Sequence, residues 1–188
     1  MAIKVYGHPV SSAVQRVLLC LAEKDLEHEF VLLDMPNDQH KKEPLIHLVR
    51  SLALKMGTPL IAEDPKKQAI IGVWLEVEAQ KFDAAGQKIS YEILIKAFKG
   101  LTPDEAIVEE MQGALGKVLD VYEARLGKSK YLAGDDYSLA DLHHVPIINN
   151  LFKTKVKVVF EERQRGSAWC ADLLARPAWQ KVLEGIKF

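Results

Sequence analysis

Within its first 33 residues the chain runs from an extended segment to a helix and back, with only short connections. Ile3-Lys4-Val5-Tyr6 reads as a short strand, and Gly7-His8-Pro9 ends it because Gly and Pro do not continue a ladder. Ser11 and Ser12 then stand where a helix N-cap belongs, and Val14, Val17, Leu18 and Leu21 recur at i, i+3, i+4 and i+7, one apolar face of a helix to about Lys24. A second strand comes next, over His28-Glu29-Phe30-Val31-Leu32-Leu33. A strand, a helix and a strand so joined form a βαβ unit with a right-handed crossover, so an α/β domain with parallel strands is expected here.

Residues 34–44, DMPNDQHKKEP, are polar and rich in turn formers, which predicts a surface loop. Beyond residue 56 the texture changes. Gly57-Thr58-Pro59 and Glu63-Asp64-Pro65 read as an inter-domain linker, and the rest of the chain is helical in pattern. Ile70, Ile71, Trp74, Leu75, Val77 and Phe82 fall at mostly helical spacing over 66–85. Thr102-Pro103-Asp104-Glu105 has the pattern of a capping box with Thr102 as N-cap, opening a helix that Gly127 closes. Ser138-Leu139-Ala140-Asp141 is a second box, opening a helix that Pro146 should kink. Shorter helices are expected over about 157–164, 167–175 and 177–186. The division read from the sequence is a small α/β domain, 1–56, and an all-helical domain, 66–188.

Charge excludes several function classes. Twenty-five Lys and Arg balance 26 Asp and Glu, which gives neither nucleic acid nor an anionic membrane the basic surplus it requires. Two cysteines far apart, Cys20 and Cys170, cannot make a disulfide framework or a Cys-rich zinc site, and they suit a reducing compartment. His143 and His144 are adjacent on a helix, so their rings point apart and do not pair on a metal. Apolar runs are far shorter than the ~18 residues a membrane span needs, and the first ten residues have no signal-peptide pattern. A cytoplasmic, metal-free protein is expected.

Four stretches together resemble the plant phi-class glutathione transferases: IKVYGHPVSSAVQRVLLCLAEKDLEHEF, the loop QHKKEP, the segment KVLDVYEARLGKSKYLAGDDYSLADLHHVP, and RPAWQKVL. The likeness covers residues 1–45 and about 57–188. It implies a thioredoxin-like N-terminal domain that binds glutathione and an all-α C-terminal domain that forms the electrophile pocket, usually in a homodimer. One departure stands out. Where the family continues from its HKKEP-type loop into N-P-F-G-Q-V-P-A-L, a hairpin and E-S-R-A-I, Pro44 runs through Leu45–Met56 directly into Gly57-Thr58-Pro59. On the order of two dozen residues are missing, among them the Val-Pro and Glu-Ser pairs that hold glutathione in the family. The N-terminal domain is therefore expected to be a shortened one.

The resemblance also implies roles. Ser11 is the catalytic residue expected to hydrogen-bond the glutathione thiolate, with Ser12 a secondary contact. His40 and Lys41 match positions that contact the glycine carboxylate of glutathione, for which an imidazole and an ammonium are suited. His8, Pro9 and Val10 are expected to line the electrophile pocket. Energetically, lowering a thiol from about 8.5 by ~2 pH units needs roughly 2.7 kcal/mol. A hydroxyl donating to a charged group supplies roughly 1.5–3 kcal/mol and a helix N-terminus roughly 0.3–1 kcal/mol more, so neither a general base nor a metal is required. The resemblance allows two functional readings. The first is a transferase that conjugates glutathione to apolar electrophiles in detoxification and stress response. The alternative is a non-catalytic carrier of apolar ligands with impaired glutathione binding.

Overall fold

The computed structural model describes residues 3–33 and 60–185. The readings of the 34–44 loop, of His40 and Lys41, of the junction through Met56 and of Gly57-Thr58-Pro59 lie outside the described residues. The chain divides into two compact units, Met1–Ile61 with Ala175–Phe188, and Ala62–Leu174.

The first unit is built on the expected βαβ. Strand β1 is Ile3–Gly7, helix α1 is Ser12–Glu23, and strand β2 is His28–Leu32. The strands pair in parallel with Ile3 opposite His28 and Gly7 opposite Leu32, and form a two-stranded sheet among the described residues. The helix stops in a Schellman arrangement: Leu26 N–H donates to Leu21 O at 3.0 Å and Asp25 N–H to Ala22 O at 3.2 Å. Asp25 takes the left-handed position with φ 50°, which a short polar side chain tolerates.

The sequence division assigns the last helix, Pro177–Gly185, to the helical domain, but by its contacts it belongs to the first unit, where it packs on α1. Arg176 grips Glu23 with two bonds, Nε to Oε1 at 2.6 Å and a terminal nitrogen to Oε2 at 2.9 Å. A planar guanidinium matches a carboxylate in this way. Because α1 is covered by β1 and by this helix, Leu19 and Cys20 are buried along with Leu18 and Leu21.

The second unit opens with α2, Pro65–Val77, which continues through a π-helical turn at Glu78–Asp83 into α3, Ala84–Ser90, a second π turn at Tyr91–Ile95, and α4, Lys96–Phe98. The Asp64-Pro65 pair is thus a helix start and not part of a linker. Asp64 is the N-cap, accepting from Lys66 N–H at 3.0 Å, and Pro65 takes the first turn, where no N–H is needed. Helix α5 is Glu105–Leu126, and its N-cap is Asp104 instead of Thr102. The Asp104 carboxylate accepts from Ala106 and Ile107 N–H at 3.0 and 3.3 Å, while its own N–H is held outside the helix by Glu92 Oε2 at 2.7 Å. A carboxylate also complements the helix dipole better than a threonine hydroxyl. Gly127 closes the helix as expected.

Ser138 caps α6, Leu139–Leu142, in a full capping box with Asp141. Pro146 begins α7, Val145–Leu151, and does not kink one continuous helix. Its missing N–H is harmless only in a first turn, so the chain breaks at His143-His144. The remaining short elements are a 3₁₀ turn at Lys155–Lys157, α8 at Val158–Glu161 and α9 at Gln164–Leu174; the terminal helix is α10.

Two buried polar groups organise this unit. Asp141 is fully buried and accepts four bonds: from Leu132 N–H and Trp169 Nε1–H on one oxygen, and from the Ser138 N–H and hydroxyl on the other, all at 3.1–3.2 Å. His144 is fully buried as well, with Nδ1 2.7 Å from Ala140 O and Nε2 2.8 Å from the Tyr122 hydroxyl. A carbonyl only accepts, so Nδ1 carries the proton and Nε2 accepts from Tyr122. Phe82, Tyr122 and Trp169 ring the imidazole with centroids 4.6, 5.3 and 5.2 Å away.

Asp141→Ala leaves four donors facing a cavity and is expected to cost about 2–4 kcal/mol in urea unfolding. Asp104→Ala is expected to cost about 1 kcal/mol, and Thr102→Ala less than about 0.5 kcal/mol. Burial outweighs the four donors and pushes the Asp141 carboxyl from 3.8 up to about 6. An acid whose folded value is raised binds its proton more tightly when folded, so its contribution is complete below about pH 4 and is lost as pH rises to about 6. Stability should fall by up to about 3 kcal/mol from this group across that window, and Asp141→Asn should remove that component of the slope.

Candidate functional site

Strand β1 delivers the chain to the start of α1 through a tight turn, and a glycine permits it. A Cβ on Gly7 would lie 2.3 Å from Val14 Cγ2, so strand end and helix start approach as closely as they do only because that atom is absent. Past Gly7 the backbone turns over His8–Ser11, closed by the Ser11 N–H donating to His8 O at 2.9 Å. Within the turn, Val10 N–H points to His8 Nδ1 at 3.4 Å.

Ser11 is the N-cap of α1, extended at φ −72° and ψ 119°. Its Oγ accepts from Val14 N–H at a long 3.5 Å, and its hydroxyl hydrogen has no acceptor among the described residues. The first turn of α1 holds no acidic residue, so nothing there offsets the partial positive charge of the helix N-terminus. The half-buried Ser11 thus stands where an anion is favoured, with its hydroxyl donor unused among the described residues.

The other residues singled out from the sequence are distributed unevenly. Ser12, the first helical residue, is buried. His8 and Pro9 are half-buried beside Ser11, and Val10 is exposed. His40 and Lys41 fall outside the described residues. His144 is absorbed by the core, and among the described residues no three His, Cys, Asp or Glu side chains gather as a metal would need. Both cysteines are buried, and burial raises the thiol pKa of each.

One participant escaped the sequence reading. Gln15 is only 6% exposed, and its Nε2 donates to Pro9 O at 2.7 Å, from one turn inside the helix back into the turn that carries Ser11. The available signal was a polar residue lodged beside Val14, Val17 and Leu18, which helical spacing alone treats as an interruption.

Known proteins point the same way. The family model for the glutathione S-transferase C-terminal domain matches residues 79–177. The glutathione S-transferase APIC of Nicotiana tabacum is 46% identical over 212 residues, covering 100% of each chain. Because this chain has 188 residues, roughly two dozen of those 212 positions have no counterpart here. Among solved structures, glutathione transferase F7 from Populus trichocarpa superposes with a TM-score of 0.89 at 37% identity, over 98% of this chain and 99% of that one. Glutathione S-transferase I from mais, solved with an atrazine glutathione conjugate, gives 0.89 at 33% identity, over 98% and 97%. With a strand, turn and capped helix of this kind, a helical unit matched by the family model and relatives alike over their whole length, the chain belongs to the glutathione S-transferase family.

Proposed function

We propose that the His8–Ser11 turn is the sulfur end of a glutathione site, with Ser11 as the catalytic residue whose hydroxyl donates to the thiolate. The reaction is that of the family: the glutathione sulfur attacks an electrophilic carbon of an apolar molecule, its proton goes to solvent, and the leaving group departs. The observation that carries the reading is the double use open to Ser11. Its oxygen caps α1 through Val14 N–H, and its hydrogen remains for the sulfur.

The stabilisation needed is modest. Roughly 1.5–3 kcal/mol from a hydrogen bond to a charged sulfur, with roughly 0.3–1 kcal/mol from the helix N-terminus, lowers a thiol by about two pH units. Ser12, buried at the first helical position, is proposed as a secondary contact to glutathione beside the half-buried Ser11. His40 and Lys41 are proposed for the glycine carboxylate on charge and family position. His8, Pro9 and Val10 are proposed to face the electrophile, since all three keep exposed surface next to Ser11. Likeness over whole chains to transferases, one of them solved with a glutathione conjugate, favours the enzyme over the carrier.

A homodimer in the cytoplasm is proposed as well. The two free, buried thiols suit a reducing compartment, and among the described residues no helix is long and apolar enough to cross a membrane. Sedimentation equilibrium should return twice the chain mass, and a single-chain mass at micromolar concentration would remove the dimer.

Ser11→Ala should lower conjugation of an aryl halide at neutral pH and move the pH–rate profile upward toward the free thiol, about 8.5. Steady-state rates at saturating glutathione from roughly three pH units below to about half a unit above the free-thiol value test this. An unmoved profile takes Ser11 out of the chemistry.

A further inference from the structure

We infer that Gln15 is a positioning residue for the conjugation reaction: its buried amide holds the Pro9 carbonyl and so fixes the turn that presents the Ser11 hydroxyl. The inference rests on the reading of Ser11 given above.

The turn is closed by a single backbone bond, Ser11 N–H to His8 O at 2.9 Å. That bond leaves its central peptide, Pro9–Val10, free to rotate, and rotation of this unit is what distinguishes the common turn types. Gln15 supplies the missing restraint. Its Nε2 donates to Pro9 O at 2.7 Å, and its backbone N–H donates to Ser11 O at 2.9 Å. One residue thus holds the carbonyls of Pro9 and Ser11, the two residues that flank Val10. Asp25 alone among the described non-glycine residues has a positive φ, so the peptide orientation that Gln15 holds leaves Val10 in a conformation a β-branched residue accepts.

Packing does not explain a glutamine here. The side chain is 6% exposed, and its Oε1 is buried with no hydrogen-bond partner among the described residues. An amide with an unmet buried acceptor opposes folding, and an apolar side chain of the same length would fill the space at lower cost. What the amide offers in return is its grip on Pro9. That grip matters because a hydrogen bond weakens steeply as its donor swings out of line, and a reacting group must be held to within about 0.5 Å.

The test compares Gln15→Met, Gln15→Glu, Ser11→Ala and the double variant Ser11→Ala/Gln15→Met. Each is read by the pH dependence of kcat/KM for an aryl halide at saturating glutathione, and by its thermal midpoint. Gln15→Met keeps the length and shape of the side chain but cannot donate. It is expected to raise the apparent thiol pKa by about half a unit to one unit with little change in midpoint. In the Ser11→Ala background it should add nothing, because an absent hydroxyl cannot be misplaced. If Ser11→Ala moves the profile and Gln15→Met does not, Gln15 only packs, and the inference falls while Ser11 stands. If neither variant moves it, the Ser11 reading falls and takes the inference with it. Should Gln15→Met fail to fold, Gln15→Glu carries the same comparison, with an upward shift expected and an unmoved profile overturning the inference.

Discussion

A hydroxyl can accept one hydrogen bond and still offer its hydrogen to another group, and the first unit carries such a hydroxyl, Ser11, at the start of its helix. Ser11 Oγ takes the Val14 N–H, which starts α1, and its hydrogen has no acceptor among the described residues. Everything nearby serves that placement. Gly7 lacks the Cβ that would collide with Val14, the His8–Ser11 turn aims the cap, and α1 is anchored at its far end by the two bonds between Glu23 and Arg176. The helix N-terminus, which favours an anion, and the Ser11 hydroxyl lie at the same place, and the proposed stabilisation of a thiolate rests on that coincidence. Among the described residues the sheet has two strands, and the helix α10 adds burial on α1.

The second unit depends on buried polar groups that are fully paired. Asp141 ties the start of α6 to the Leu132 backbone and to Trp169 of α9, so one carboxylate joins three separate parts of the chain. His144 does similar work between α5, through Tyr122, and the α6–α7 corner. Such groups contribute less through the energy of each bond than through the expense of leaving any one unmade. They therefore specify one arrangement of the helices.

How far these features could be read in advance depends on the range of the forces involved. The strands, α1, the Ser11 cap and the Ser138–Asp141 box were legible because each is decided by neighbours within four residues. Asp104 displaced Thr102 as a cap because Glu92, twelve residues away, holds its N–H, and no local pattern reports that. Leu19 and Cys20 are buried by a helix from the other end of the chain, which a one-faced helical pattern cannot anticipate. Asp64-Pro65 and Pro146 were local signals read in the wrong sense: proline at the start of a helix serves as a first-turn residue, not as a linker or a kink. Gln15 was hidden for the opposite reason. Its bond is local, but a polar residue on an apolar face has no meaning until the turn it reaches is folded.

In the proposed function this shortened chain binds glutathione and ionises it at Ser11. The most direct measurement is the titration of the bound thiol itself, followed by the ultraviolet absorbance of the thiolate on the unmodified protein with glutathione in excess. A bound-state pKa about one to two units below the free value of about 8.5 is expected. A thiol that titrates at the free value when bound, or no binding at all, would contradict it.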